Sequence, residues 1–133
     1  MKQTEVLVVE DSAADRFWLE YVLQNTGVNC IFSTVTDGEQ AVEFLLKRGE
    51  FTDAPTPDII FLDAHLPKLD GIEVLRGVPN ANRLPICVIT GSEADRAVFQ
   101  EEFGIHDSDY VLKPVGQEKI AGSPCCRQHL GLK

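Results

Sequence analysis

The chain has 133 residues, 44% of them hydrophobic, which suits one domain with its own core. Its formal net charge of −9 would repel DNA, RNA and anionic membrane surfaces, so protein partners are expected and direct nucleic-acid binding is not. Apolar runs such as Val6 to Val9 and Ile59 to Leu62 fall far short of the roughly 20 residues a membrane helix needs.

The opening residues, Met1-Lys2-Gln3-Thr4-Glu5, have no signal-peptide shape, and a cytoplasmic location is expected. Val6 to Val9 reads as a strand buried on both faces, bounded by Glu10-Asp11-Ser12. From Ala13 to Thr26 the spacing turns helical, with Ala14, Trp18, Tyr21 and Val22 on one stripe. Ser12 is placed to cap that helix, with Asp15 as a weak capping box and Gly27 closing the other end. A weaker strand, Cys30 to Val35, precedes a helix over Glu39 to Lys47 that buries Ala41, Val42, Leu45 and Leu46. A loop from Arg48 to Pro57 leads into a third strand, Asp58 to Leu62, ending at Asp63. After a loop with an Asp70-Gly71 turn comes a short helix through Ile72, Val74 and Leu75. The pattern then gives a strand over Pro85 to Ile89, stopping at Thr90, and a helix over Glu93 to Phe103. The last strand is Asp109 to Leu112, followed by Lys113-Pro114. One more helix is expected after Val115, interrupted by Gly122, Ser123 and Pro124.

Strands alternating with helices over short connections imply βαβ units. Their right-handed crossovers make a five-stranded parallel sheet, doubly wound, with helices on both faces. Ligands of such α/β sheets bind beyond the C-terminal ends of the strands. Those ends carry Glu10 and Asp11, Asp63, Thr90 and Lys113. Three carboxylates brought together repel, and Lys113 offers only one compensating charge. Hard oxygen donors of this kind suit Mg²⁺, which completes its shell with water and phosphate oxygens. Asp63 could then act as a nucleophile toward phosphorus, with Thr90 donating to the transferred group and Lys113 screening its charge.

Of four cysteines, Cys30 and Cys87 read as small buried hydrophobes. Adjacent Cys125 and Cys126 suit neither a zinc pair nor a disulfide framework, although His129 nearby leaves an adventitious metal site open.

Four stretches, in this order, resemble the response-regulator receiver domain: Val8-Val9-Glu10-Asp11-Ser12, Ile60 through Gly71, Val88-Ile89-Thr90-Gly91-Ser92, and Tyr110 through Val115. The loop around Gly49 to Pro57 also resembles receivers associated with phytochrome-type kinases. The resemblance implies a flavodoxin-like sheet of strand order 2-1-3-4-5, formed by a single receiver domain over residues 1–133. The core would span about residues 4–121, with 122–133 an atypical C-terminal segment. It implies that Asp63 is the phosphoacceptor and that Glu10, Asp11, Asp63 and the backbone carbonyl of His65 ligate Mg²⁺. Thr90 and Lys113 would contact the phosphoryl group, Tyr110 would change rotamer on activation, and the bond before Pro114 would be cis. It implies a two-component switch rather than a conventional enzyme, one that catalyses its own phosphorylation and autodephosphorylation. The donor would be a histidine kinase or histidine phosphotransfer protein. No output domain is expected, so a downstream target protein would read the signal by contact. Dimerisation through the fourth helix, fifth strand and fifth helix is possible in such a family, but the interruption at Gly122-Ser123-Pro124 puts that surface in question.

Plainer readings exist for each residue. Glu10, Asp11 and Thr90 could cap helices. Tyr110 could fill a half-buried strand face. The His65 imidazole could simply face solvent. A constitutive interaction module would keep the fold without the chemistry, but the acidic set and Lys113 are complete. A phosphatase of the haloacid dehalogenase type would carry an aspartate where His65 stands. The Glu10-Asp11-Ser12-Ala13-Ala14 turn lacks the glycines of a dinucleotide site.

Overall fold

The computed structural model describes residues 3–132. Its strands are β1 Thr4–Val9, β2 Cys30–Val35, β3 Ile59–Asp63, β4 Ile86–Thr90 and β5 Tyr110–Leu112. Its helices are α1 Ala13–Gln24, α2 Gly38–Leu46, α3 Gly71–Arg76, α4 Arg96–Phe103, α5 Gln117–Gly122 and α6 Pro124–His129. The strands form one parallel sheet in the order β2-β1-β3-β4-β5. No helix among the described residues is long and apolar enough to cross a membrane.

The two-residue period of the strands divides the core. Leu7, Val9, Ile60, Leu62 and Val88 face one layer, with α2, α3 and α4 supplying Ala41, Phe44, Val74, Leu75 and Phe99. Val6, Val8, Ile59, Phe61, Cys87 and Ile89 face the other, against Leu19, Val22 and Leu23 of α1, Ile120 of α5, and Cys125 and Cys126 of α6. Every residue of β3 and β4 is buried. That is why these strands read as unbroken apolar runs. β2 lies at the sheet edge and keeps exposed positions, so Cys30 is only partly buried, not a core residue.

Several boundaries and faces differ from the expected ones. The buried stripe of α1 is Leu19, Val22 and Leu23, while Trp18 and Tyr21 stack on each other near the surface at 44% and 50% exposure. The Trp18 indole finds its partner in the Val115 carbonyl, so a position at core spacing serves to tie α1 to the segment after β5. In α2 the buried side chains are Ala41, as expected, and Phe44, while Val42, Leu45 and Leu46 are only partly covered. The helix over Glu93 to Phe103 starts instead at Arg96, because Ser92 accepts from the Ala94 N–H and closes a turn there. Asp109 belongs to the turn before β5.

The C-terminal region ends as two six-residue helices, α5 and α6. Ser123 is the last cap of one and the first cap of the other, and Pro124 takes the N1 position, where its missing N–H costs nothing. Asp109, buried below the sheet, accepts from the Ser123 hydroxyl and from the Cys125 N–H at 3.0 Å. A buried carboxylate is thus satisfied by the break in the helix, and α6 packs against β3, β4 and the turn before β5.

On the side of the expected site, Gly38 and Gly71 allow close backbone approaches. A Cβ on Gly38 would stand 1.9 Å from the Leu69 carbonyl oxygen, and one on Gly71 would stand 2.9 Å from that of Asp63. Backbone cannot yield as a flexible side chain can. Gly38→Ala should therefore destabilise by about 3 kcal/mol, lowering Tm by about 10 °C in a thermal melt.

Candidate active site

The parallel register aligns the strand ends. Val9 pairs with Leu62, Asp63 with Ile89, and Thr90 with Leu112, so the residues that follow or end these strands share one edge. The sheet brings together Glu10, Asp11, Asp63 and Lys113. Carboxylate oxygens of Glu10, Asp11 and Asp63 lie within 4.8 Å of one another. Lys113 Nζ donates to Glu10 Oε1 at 2.6 Å, to Asp63 Oδ2 at 3.0 Å and to Asp15 Oδ2 at 2.8 Å. Asp15 was expected only as part of a cap. It is the N–H of Asp15 that meets Ser12, while its side chain, one helical turn into α1, reaches the lysine. No local feature of the sequence marks that partner.

Glu10 and Asp63 are almost fully buried, whereas Asp11 is exposed. Glu10 is held by the Ser12 N–H on Oε2 at 3.1 Å, and Arg16 caps its backbone carbonyl at 2.9 Å. Asp63 Oδ1 accepts from the His65 N–H at 2.9 Å. The tight loop between β3 and α3 is closed by the Gly71 N–H on the Ala64 carbonyl at 2.9 Å. Asp70 and Glu73 make a reciprocal capping box at the start of α3, so Asp70 serves the loop and not the acidic cluster.

The electrostatics are unbalanced. Four carboxylates, those of Glu10, Asp11, Asp15 and Asp63, meet one ammonium. Burial, with Asp63 adding to it against the pull of Lys113, pushes the Glu10 carboxyl up to about 7. Burial works against the charge of Lys113, but its bonds to Asp15, Glu10 and Asp63 outweigh it and raise its pKa above the ordinary lysine value. A pocket that lifts a carboxyl this far while holding a lysine charged is short of positive charge. The donor set is all oxygen, anionic and clustered at the sheet edge, which fits a hard divalent cation. Among the described residues no other cluster of metal-capable groups forms, and Cys125, Cys126 and His129 do not converge.

Thr90 is fully buried at the end of β4, and its Oγ1 accepts from the Ser92 N–H at 3.3 Å. The Lys113–Pro114 bond is cis, and the Lys113 N–H donates to the Thr90 carbonyl at 2.8 Å. Tyr110 is buried, its hydroxyl donating to the Ser92 carbonyl at 2.7 Å. The His65 imidazole is largely exposed and lies 3.7 Å from Asp95.

The model of the response regulator receiver domain matches residues 6–123. Response regulator Rcp1 of Synechocystis sp. is 35% identical over 111 residues, covering 81% of this chain and 75% of Rcp1. Its Mn²⁺-bound crystal structure superposes with a TM-score of 0.73 at 30% identity, covering 97% of this chain and 91% of that one. The bacteriophytochrome response regulator AtBRR gives a TM-score of 0.80 at 26% identity, over 100% of this chain and 96% of that one. The Bacillus subtilis regulator PhoP, a transcriptional regulatory protein of alkaline phosphatase synthesis, is 34% identical over 119 residues. Those residues are 87% of this chain but only 45% of PhoP. The match runs from within β1 past α5 and takes in the whole acidic edge: this chain belongs to the response regulator receiver domain family.

Proposed function

We propose that this receiver accepts a phosphoryl group on Asp63 from a phosphohistidine of a histidine kinase or histidine phosphotransfer protein and passes the change to a cytoplasmic target protein by contact. The carrying observation is Lys113, bound at once to Glu10 and Asp63 at the edge of the sheet. A carboxylate oxygen of Asp63 forms the new P–O bond as the P–N bond to imidazole breaks, and the leaving imidazole takes a proton from water. Glu10, Asp11, Asp63 and the His65 carbonyl would hold Mg²⁺. When bound, the cation neutralises charge on the transferring phosphoryl oxygens. Lys113 screens that charge from the β5 side, and the Thr90 hydroxyl donates to it. Drawing Thr90 toward the phosphoryl group then favours the inward Tyr110 already bonded to the Ser92 carbonyl and shifts the surface around α4, β5 and α5 between two populations. Water attack on the acyl phosphate resets the domain. The Mn²⁺-bound Rcp1 structure and a Mg²⁺-coordinated receiver from Pseudomonas aeruginosa support a cation in this reading.

Incubation of the chain with phosphoramidate and Mg²⁺, followed by intact-mass and peptide spectrometry, tests it. A single added phosphoryl group on the peptide carrying Asp63, absent when Mg²⁺ is chelated, is the expected result. Labelling elsewhere, or none with Mg²⁺ present, overturns the proposal.

A further inference from the structure

Tyr110 is clamped from two sides. Its ring packs on Phe99 of α4 with centroids 5.8 Å apart, and the Arg96 guanidinium carbon lies 4.6 Å from the ring centroid. The Arg96 fork is itself fixed. One edge is bidentate to Glu93, with the second nitrogen at 2.9 Å, and Nη1 reaches the carbonyl and the carboxylate of Asp107 at 3.0 and 2.9 Å. Gln100 holds that same Asp107 oxygen at 2.9 Å. Exposed ion pairs alone contribute little. Here they set the plane and position of a cation whose side chain is only 24% exposed, over an aromatic face that is buried.

Inward from the ring, the contacts continue without a gap. The Tyr110 hydroxyl donates to the Ser92 carbonyl, and the Ser92 N–H donates to Thr90 Oγ1. With Oγ1 accepting from Ser92, the Thr90 hydroxyl proton stays available for another acceptor. The path therefore runs from a surface arginine on α4 to the hydroxyl at the end of β4.

We propose that Arg96 is a positioning residue for the phosphorylation switch: it holds the Tyr110 ring inward and, through Ser92, keeps Thr90 oriented to meet a phosphoryl group on Asp63. This rests on Asp63 being the phosphoacceptor. Without the clamp, Tyr110 leaves the inward position for part of the time. The binding-competent fraction falls, and the apparent affinity for a phosphoryl group falls by the same factor. A partly desolvated cation over a ring is worth a factor of about 3–10.

Calorimetric titration of the full chain with beryllofluoride in Mg²⁺ reads this directly. Arg96→Ala should bind about 3–10-fold more weakly than the unaltered chain. Arg96→Lys, which keeps the charge but loses the planar fork, should fall between them and guards against a folding defect in the alanine variant. The effect must pass through the hydroxyl, so in a Tyr110→Phe background the same Arg96 change should alter affinity by less than about twofold. A merely structural arginine would cost the same in both backgrounds. An unchanged affinity in both Arg96 variants, or an equal loss with and without the Tyr110 hydroxyl, overturns the inference and leaves the phosphoacceptor reading standing. If Asp63→Asn binds beryllofluoride as well as the unaltered chain does, the phosphoacceptor reading fails and takes this one with it.

Discussion

Replacing Lys113 by alanine is expected to slow phosphoryl uptake at Asp63 by about 10²–10³-fold while tightening Mg²⁺ binding. The two signs come from one atom. Nζ sits on oxygens of Glu10, Asp15 and Asp63, two of which belong to the cluster fit for a cation. Before reaction the ammonium competes with Mg²⁺ for that negative charge. Removing it leaves the carboxylates bare and raises their affinity for a divalent ion, since opposite charge at short range is what the cluster lacks. During phosphoryl transfer the requirement reverses. Charge spreads onto the phosphoryl oxygens, and a preorganised donor aimed there lowers the barrier in a way a second cation on the other side cannot replace. Mg²⁺ titration by calorimetry and rates of labelling by phosphoramidate measure the two effects separately. Weaker Mg²⁺ binding in Lys113→Ala would show that the lysine organises the carboxylates instead of competing for them. An unchanged labelling rate would remove Lys113 from the chemistry.

The acidic edge was legible in the sequence because it depends on punctuation. An apolar run that stops at a charged residue marks a strand end whatever the details of packing, and a parallel sheet aligns all such ends. Glu10, Asp63 and Lys113 are each found by that rule, and Thr90 by the Gly91 that stops the run behind it. What escaped depends on helix phase and on contacts between distant segments. Trp18 and Tyr21 fit the apolar period of α1, yet the buried stripe runs through Leu19, Val22 and Leu23. One position of rotation separates the two stripes, and periodicity over 12 residues does not resolve it. Asp15 was read through its backbone neighbours, and nothing local says that its carboxylate meets a lysine 98 positions later. The break at Ser123-Pro124 was visible, but its partner was not. Asp109 looks like the first residue of a strand until its carboxylate is seen under the helix junction. Nothing near Arg96 in the chain marks its partner, because the ring beneath it arrives from β5.

Without Mg²⁺, the folded chain is expected to lose stability as pH rises from about 5 to about 7.5, and added Mg²⁺ should reverse that loss. The group responsible is Glu10, whose carboxyl burial raises from 4.5 to about 7. Between those values the unfolded chain has released the proton and the folded chain still holds it. The folded state binds more protons, so its advantage shrinks with rising pH through this window, by at most about 3 kcal/mol. Lys113 does not contribute to the slope. Its pKa is raised from 10.5, so the stability it confers is complete below that value. Mg²⁺ held by the ionised carboxylate would release the Glu10 proton below pH 7, and its affinity should climb by up to about tenfold per pH unit there. Thermal melts in chelator and in saturating Mg²⁺ should diverge across the window. Calorimetry in buffers of different ionisation enthalpy should count up to about one proton released per ion. Glu10→Gln removes the titrating group and should flatten both curves, which assigns the proton to this carboxyl. A slope that survives Glu10→Gln would place the proton elsewhere and leave the buried carboxylate ionised throughout, with Lys113 alone balancing it.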